Sequence, residues 1–159
     1  MKHKKPKKIV ITSGYFNPIH VGHVNLLREA RKLGDYLVVI VNNDAQVKIK
    51  GSVPFMAEQE RIQIVKDLKH VDEVFLSIDS FADGKEVPIP DSLEALAQRY
   101  SGTELFFAKG GDRNFDNIPE SEKKVCREFN ITVVSNVGGG KVQSSSWLLK
   151  SVSAKFQIQ

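Results

Sequence analysis

Apolar positions along the chain fall into two alternating patterns: short β-branched runs, and longer stretches spaced three and four residues apart. Ile9-Val10-Ile11-Thr12 predicts a strand ended by Ser13-Gly14. Across 21–33, Leu26, Ala30 and Leu33 recur at helical spacing, with Arg28, Glu29, Arg31 and Lys32 on the other side. Gly34 then stands where a helix commonly stops. Residues 36–41 are apolar throughout, the mark of a strand covered on both faces, and Asn42-Asn43-Asp44 ends it. The helical pattern returns across 57–69 through Ile62, Val65 and Leu68, and 72–78 predicts a third strand. Residues 79–90 read as a loop, with Asp83-Gly84 and two prolines, before Asp91, which is placed to cap a helix through Leu93, Leu96 and Ala97. Residues 105–107 predict a fourth strand, running into Lys109-Gly110-Gly111-Asp112. A helix near 120–129, a strand over 131–134, a break at Gly138-Gly139-Gly140 and a last helix from about 144–146 complete the series.

Strand–helix alternation of this kind means right-handed crossovers and a parallel sheet. The prediction is one Rossmann-like α/β domain, with a five-stranded, mainly parallel sheet flanked by helices. In such sheets ligands sit beyond the carboxyl ends of the strands, where strand order reverses. The segments following the strands, 13–23, 42–50, 109–113 and 136–146, also hold the Gly, His, Lys, Asp and Ser clusters.

Composition narrows this picture. A chain of 159 residues, 41% hydrophobic and 26% charged, fits one ordinary globular domain. Cys126 is the single cysteine, so no internal disulfide and no thiolate metal site is expected. No apolar run has membrane-spanning length, and no signal-peptide pattern follows the N-terminal lysines, so a cytoplasmic protein without a membrane partner is expected. The net charge of +4 points towards a polyanion, yet Lys2, Lys4, Lys5, Lys7 and Lys8 supply more than that excess. Removing those five leaves 18 bases against 19 acids. Residues 1–8 are therefore read as a basic flexible leader to a domain over 9–159, and nucleic acid is not expected as a partner.

The strongest chemical signal is the run from Gly14 through Tyr15, Phe16, Asn17, Pro18, Ile19, His20, Val21 and Gly22 to His23. A strand ending in glycine turns into a helix whose first N–H groups are unpaired and electropositive, an anion site. Two imidazoles three residues apart flank that terminus, and Gly22 between them lets a phosphate approach the backbone. A metal pair or two structural histidines are the other readings of the same residues. Direct displacement is more natural here than covalent catalysis, because no Ser or Cys nucleophile stands with an acid partner.

The segment resembles the His-x-Gly-His signature of the cytidylyltransferase-like nucleotidyltransferase superfamily, and the likeness runs over roughly residues 9–152. Arg31-Lys32-Leu33-Gly34-Asp35, Val41-Asn42-Asn43-Asp44, Val47-Lys48, Lys50-Gly51, Glu60-Arg61, Val71-Asp72 and Lys109-Gly110-Gly111-Asp112 look most like the adenylyltransferase domain of ADP-heptose synthase. Glycerol-3-phosphate cytidylyltransferase comes next. The resemblance implies transfer of a nucleotidyl group from a nucleoside triphosphate, ATP first, to a small phosphorylated acceptor such as a sugar 1-phosphate, with Mg²⁺ accompanying the nucleotide. CTP with a polyol or amino-alcohol phosphate is the alternative, and a non-catalytic nucleotide-binding module is the alternative of another class.

On this reading His20, His23, Lys48 and Lys50 are catalytic. If locally extended, the two lysines point the same way. Gly14, Tyr15, Phe16, Asn17, Gly22, Arg61, Gly110, Asp112, Ser144, Ser145 and Ser146 bind nucleotide. Arg61 has a surface ion pair with Glu58 or Glu60 as its plainer alternative. The serines match a Ser-Thr-Thr-like element whose helix terminus would hold the outer phosphates, and a plain helix cap is compatible with that role. Asn43, Asp44, Lys109 and Arg113 are the candidate substrate-binding groups. Three departures from the pattern stand out: Asn17 replaces a common Asp, only Lys141 lies near the serine run where an arginine is frequent, and 79–91 is longer than in the heptose enzymes. Relatives of this kind are commonly homodimers, which sets the expectation for subunit number.

Overall fold

A computed structural model describes residues 5–156. Five strands form one parallel sheet in the order β3-β2-β1-β4-β5: β1 Lys8–Gly14, β2 Tyr36–Val41, β3 Glu73–Leu76, β4 Glu104–Ala108 and β5 Thr132–Val134. Six α-helices connect them: α1 Val21–Arg31, α2 Asp44–Ile49, α3 Glu58–Lys66, α4 Pro90–Arg99, α5 Glu120–Glu128 and α6 Ser145–Phe156. The domain is Rossmann-like.

Alternation along β1 and β2 divides the core in two. Ile9, Ile11, Val38 and Ile40 face α4 and α5, packing with Leu93, Leu96, Val125 and Cys126. Val10, Leu37, Val39 and Val41 face α1 and α3, packing with Leu27, Ala30 and Val65. Burial raises the Cys126 thiol to a pKa of about 11, which leaves it a small core hydrophobe.

The order of strands reverses between β1 and β4. β1 pairs with β2 as far as Gly14 and Val41, but with β4 only as far as Ile11 and Phe107. Past that point Thr12 donates its hydroxyl to the Ala108 carbonyl, 2.8 Å, and the strands part. The crevice lies at this switch point, as strand physics requires.

Several local expectations change. Lys8 belongs to β1, and the Lys7 and Lys8 N–H groups donate to the Asp35 carboxylate, so the ordered domain starts before residue 9. Lys2 and Lys4 lie outside the described residues. Gly34 is not a left-handed helix stop. A Cβ there would lie 2.7 Å from the Lys8 carbonyl, so glycine is needed for close approach to β1. The segment after β2 is the short helix α2, with Asn43 and Gln46 closing a reciprocal capping box. Asp91 does not cap α4. The buried Asp79 carboxylate accepts from the Asp91 and Ser92 N–H groups instead, at 2.9 and 3.0 Å. Among the described residues no helix is long and apolar enough to cross a membrane.

Candidate active site

The first helix begins at the mouth of the crevice, and its two histidines cap it reciprocally. The Gly22 N–H donates to His20 Nδ1 at 3.1 Å, and the His20 N–H donates to His23 Nδ1 at 3.2 Å. The rings stack with centroids 3.8 Å apart, and Phe16 braces His23 from beneath at 4.8 Å. Each Nδ1 is an acceptor, so each neutral ring carries its proton on Nε2 and keeps that N–H as its donor. Burial is the main cause that lowers both pKa values, with Lys141 adding to it at His20 and His20 adding to it at His23, which falls to about 3. At neutral pH the pair is therefore uncharged and donates hydrogen bonds without positive charge.

Gly22 is explained by the same contact. A Cβ there would press on the His20 ring at 3.0 Å, so glycine keeps the imidazole in place. Both rings line a cavity of about 850 Å³, with Gly110, Gly111, Asp112 and Arg113 on one side and Gly138–Gln143 on another. Lys141 lies on this wall with its ammonium 4.7 Å above the ring of Trp147. The lining ends at Gln143. Ser144 caps α6 by accepting from the Trp147 N–H at 3.1 Å, and Ser145 donates to the Pro18 carbonyl at 2.8 Å. Ser144, Ser145 and Ser146 thus stand beside the cavity and bring the start of α6 to the start of α1, without forming its wall.

A second, smaller cavity of about 180 Å³ opens beyond the ends of β1, β2 and β4. Gly14, Tyr15, Lys50, Lys85, Glu86, Lys109, Arg113 and Glu122 contribute to its lining. Lys50 sits with its ammonium 4.3 Å above the Tyr15 ring. Its pKa is lowered, by lost hydration first and by Arg113 and Lys141 after it, with Glu86 opposing. Burial first, then Glu86 and Glu122, push the Tyr15 phenol up to about 12.

Other expected groups are committed elsewhere. Lys48 and Lys50 do not point together, because the segment is helical rather than extended; Lys48 is exposed and lines neither cavity. Arg61 is neither a surface ion pair nor a nucleotide contact. Its side chain is 0% exposed and donates to the carbonyls of Met56, Tyr15 and Asn42 and to Asp44, all at 2.6–3.0 Å. That also takes Asp44 out of the substrate-facing set. Asn43 is occupied as well, capping α2 and donating to the Ser77 and Asp79 carbonyls. Asn17 holds the segment before α3, donating to the Val53 carbonyl and accepting from the Phe55 and Met56 N–H groups. An Asp could not make the first of those bonds, which accounts for the amide at this position. Phe16 is core, 1% exposed. Lys109 forms a buried ion pair with Glu122 at 3.3 Å, and Glu122 also accepts from the Ile89 N–H.

Sequence reasoning missed Glu86, Glu122, Asp79 and Lys85. Asp79, Lys85 and Glu86 lie in the 79–90 segment read as a loop, and Glu122 lies in the helix near 120–129, to which the sequence assigns no site role.

The cytidylyltransferase-like family model matches residues 11–146. The chain is 36% identical over 132 residues to the FAD synthase of Thermococcus sibiricus, covering 82% of this chain and 81% of that protein. It is 31% identical over 157 residues to the Bifunctional protein HldE of Citrifermentans bemidjiense, covering 98% of this chain and 29% of that longer protein. Among solved structures, the lipopolysaccharide core biosynthesis protein from Thermoplasma volcanium aligns with a TM-score of 0.58 at 28% identity, covering 80% of this chain and 92% of that one.

Proposed function

Because the chain belongs to the cytidylyltransferase-like family of nucleotidyltransferases, we propose that it transfers the adenylyl group of ATP to the phosphate of a small acceptor and releases pyrophosphate. The observation that carries this reading is the pair of cavities, one beside the histidine-capped terminus of α1 and one lined by cations, which meet at Arg113. The triphosphate lies in the larger and the acceptor phosphate in the smaller. An acceptor phosphate oxygen bonds to the α-phosphorus while the bond from that phosphorus to the α–β bridging oxygen breaks. Pyrophosphate leaves with that electron pair. Nucleophile and leaving group are both ionised phosphate oxygens, so no proton has to move, and neutral histidines suit the task.

His20 and His23 hold the triphosphate through Nε2–H as charge develops on the leaving group. Preorganised donors of this kind contribute roughly 100- to 1000-fold each. The N–H groups at the start of α1 add their dipole. Lys50 supplies charge from the acceptor side. Among the described residues no three His, Cys, Asp or Glu side chains form a metal cluster, and Asp112 is the only carboxylate on the larger cavity's wall. Those residues do not form a protein cage for Mg²⁺, which in this reading enters as the counter-ion of ATP.

The small volume of the second cavity favours a compact acceptor such as a sugar 1-phosphate. The name of the FAD synthase relative favours flavin mononucleotide as the second reading. Measuring pyrophosphate release with ATP and CTP against sugar 1-phosphates, glycerol 3-phosphate and flavin mononucleotide separates them. ATP-dependent turnover with one acceptor is expected. CTP preference would move the assignment to a cytidylyltransferase, and tight ATP binding without turnover on any acceptor would make the chain a sensing module. A homodimer is the expected assembly, checked by sedimentation.

A further inference from the structure

Arg113 is the one residue among those described that lines both cavities. It follows Gly110-Gly111, where Gly111 at φ 62° turns the backbone after β4. Its Nη2 donates to both oxygens of Glu86 at 3.0 Å each, while Nη1 donates to the Asn117 carbonyl at 3.2 Å. Glu86 is not on a loose loop. It closes a tight hairpin with Asp83 through two backbone hydrogen bonds, with Gly84 at φ 63° in the turn. The hairpin's base is pinned by Gln46 at the Pro88 carbonyl and by Glu122 at the Ile89 N–H.

The charges around the smaller cavity do not balance. Lys109 and Glu122 neutralise each other, while Lys50, Lys85 and Arg113 face the single carboxylate of Glu86. A carboxylate whose two oxygens share one guanidinium nitrogen stands where the oxygens of a phosphate would accept the same charge-assisted bond. The Arg113 and Glu86 side chains are 40% and 44% exposed, so solvent screens the pair and it can be exchanged cheaply.

We propose that Glu86 is a resident stand-in for the acceptor phosphate: it holds Arg113 at the junction of the two cavities until a phosphate monoester displaces it and takes over its Nη2 donor. This rests on the adenylyl-transfer reading for its location and names the feature by which the acceptor is recognised, a phosphate dianion exchanging with a carboxylate. The hairpin that carries Glu86 belongs to the long 79–91 segment, which thereby becomes a specificity element.

Two readouts test it. Inorganic phosphate is titrated calorimetrically into the full chain, with and without α,β-methylene-ATP to fill the larger cavity. Glu86→Gln, which keeps the fold of the hairpin and weakens the competitor, is expected to tighten phosphate binding by up to about 5-fold, the size of a half-exposed ion pair. Arg113→Gln is expected to weaken it at least about 10-fold, the loss of charge-assisted hydrogen bonds, with a thermal melt showing the fold retained. In turnover, both variants should shift KM for the acceptor in those directions, and Glu86→Gln, which alters the smaller cavity alone, should leave KM for ATP within about 2-fold, well under a charged hydrogen bond. Undetectable phosphate binding by the parent chain, unchanged affinity in Arg113→Gln, or unchanged or weaker affinity in Glu86→Gln overturns the proposal. If turnover is found with none of the acceptors but phosphate affinity follows the predicted pattern, the adenylyl-transfer reading fails and the Glu86–Arg113 exchange stands. Turnover with unmoved acceptor KM and phosphate affinity gives the reverse result.

Discussion

Each site histidine spends one nitrogen on the helix cap and has a second left over for the proposed transfer, and substitutions can separate the two. In His20, Nδ1 caps α1, which leaves Nε2 as the ring's donor beside the larger cavity. Asparagine is a good N-cap but lacks a donor at the Nε2 position. His20→Asn should therefore keep the melting temperature within a few degrees of the parent and still lose roughly 100-fold or more in kcat. His20→Ala should lose both, with about 1 kcal/mol of stability going with the cap. Equal turnover in His20→Asn and the parent would remove His20 from the reaction. The half-buried His23 gives a pH signature. Its folded pKa, about 3, lies below the ordinary value of 6.5, so the unfolded chain binds the extra proton first. The stability it contributes is complete above pH 6.5 and falls towards pH 3, by up to about 1.4 kcal/mol per pH unit. Urea midpoints at pH 7.5 and 5.5 measure it, and His23→Gln should flatten the difference. The signature residues themselves were legible in sequence, because glycine, histidine and a helix start leave few other uses for that order. Their charge state was not, because it depends on which nitrogen the helix occupies and on how deeply the ring is buried.

At the scale of elements, the strands were read most faithfully, since β-branched runs covered on both faces have one solution. The segment 42–50 misled, because Asn and Asp both end strands and cap helices, and nothing local shows that Asn43 and Gln46 satisfy each other. Arg61 misled for a related reason. A charged residue among glutamates reads as surface, and only the meeting of β1, β2 and the 53–56 segment shows four acceptors waiting for one guanidinium. Arg61→Met should cost about 3 kcal/mol or more, by leaving Asp44 and three carbonyls without their donor, and guanidinium chloride unfolding would measure it. If the loss proves to be under 1 kcal/mol, water replaces those bonds and Arg61 is not the tie described. Gly34→Ala should also destabilise, by about 1–3 kcal/mol, because the atom met at 2.7 Å is backbone and cannot swing aside.

For the whole molecule, the strand order matters more than any one strand. β1 outruns β4, so the sheet opens at the switch point. A triphosphate in the larger cavity would join the start of α1 to the Gly138–Lys141 segment. Binding that favours only the folded state stabilises it by mass action, about 2.7 kcal/mol at a ligand concentration 100 times Kd. Adding α,β-methylene-ATP should raise the melting temperature in proportion, and His23→Gln should blunt the rise. The net charge could be placed from sequence, but the two-cavity arrangement could not. Tyr15, Lys50, Glu86 and Arg113 come from four separate stretches, following β1, β2, β3 and β4, and only the parallel sheet brings those stretches to one edge.

The cation over Trp147 makes the molecule its own optical reporter. Trp147 is the sole tryptophan, and the lysine resting on it is the one that lines the larger cavity. An anion that draws Lys141 inward lifts a positive charge off the indole face, so the emission of the unlabelled chain should change with occupancy. Stopped-flow traces of that signal would time the arrival of nucleotide separately from the chemistry, and Lys141→Met would silence it.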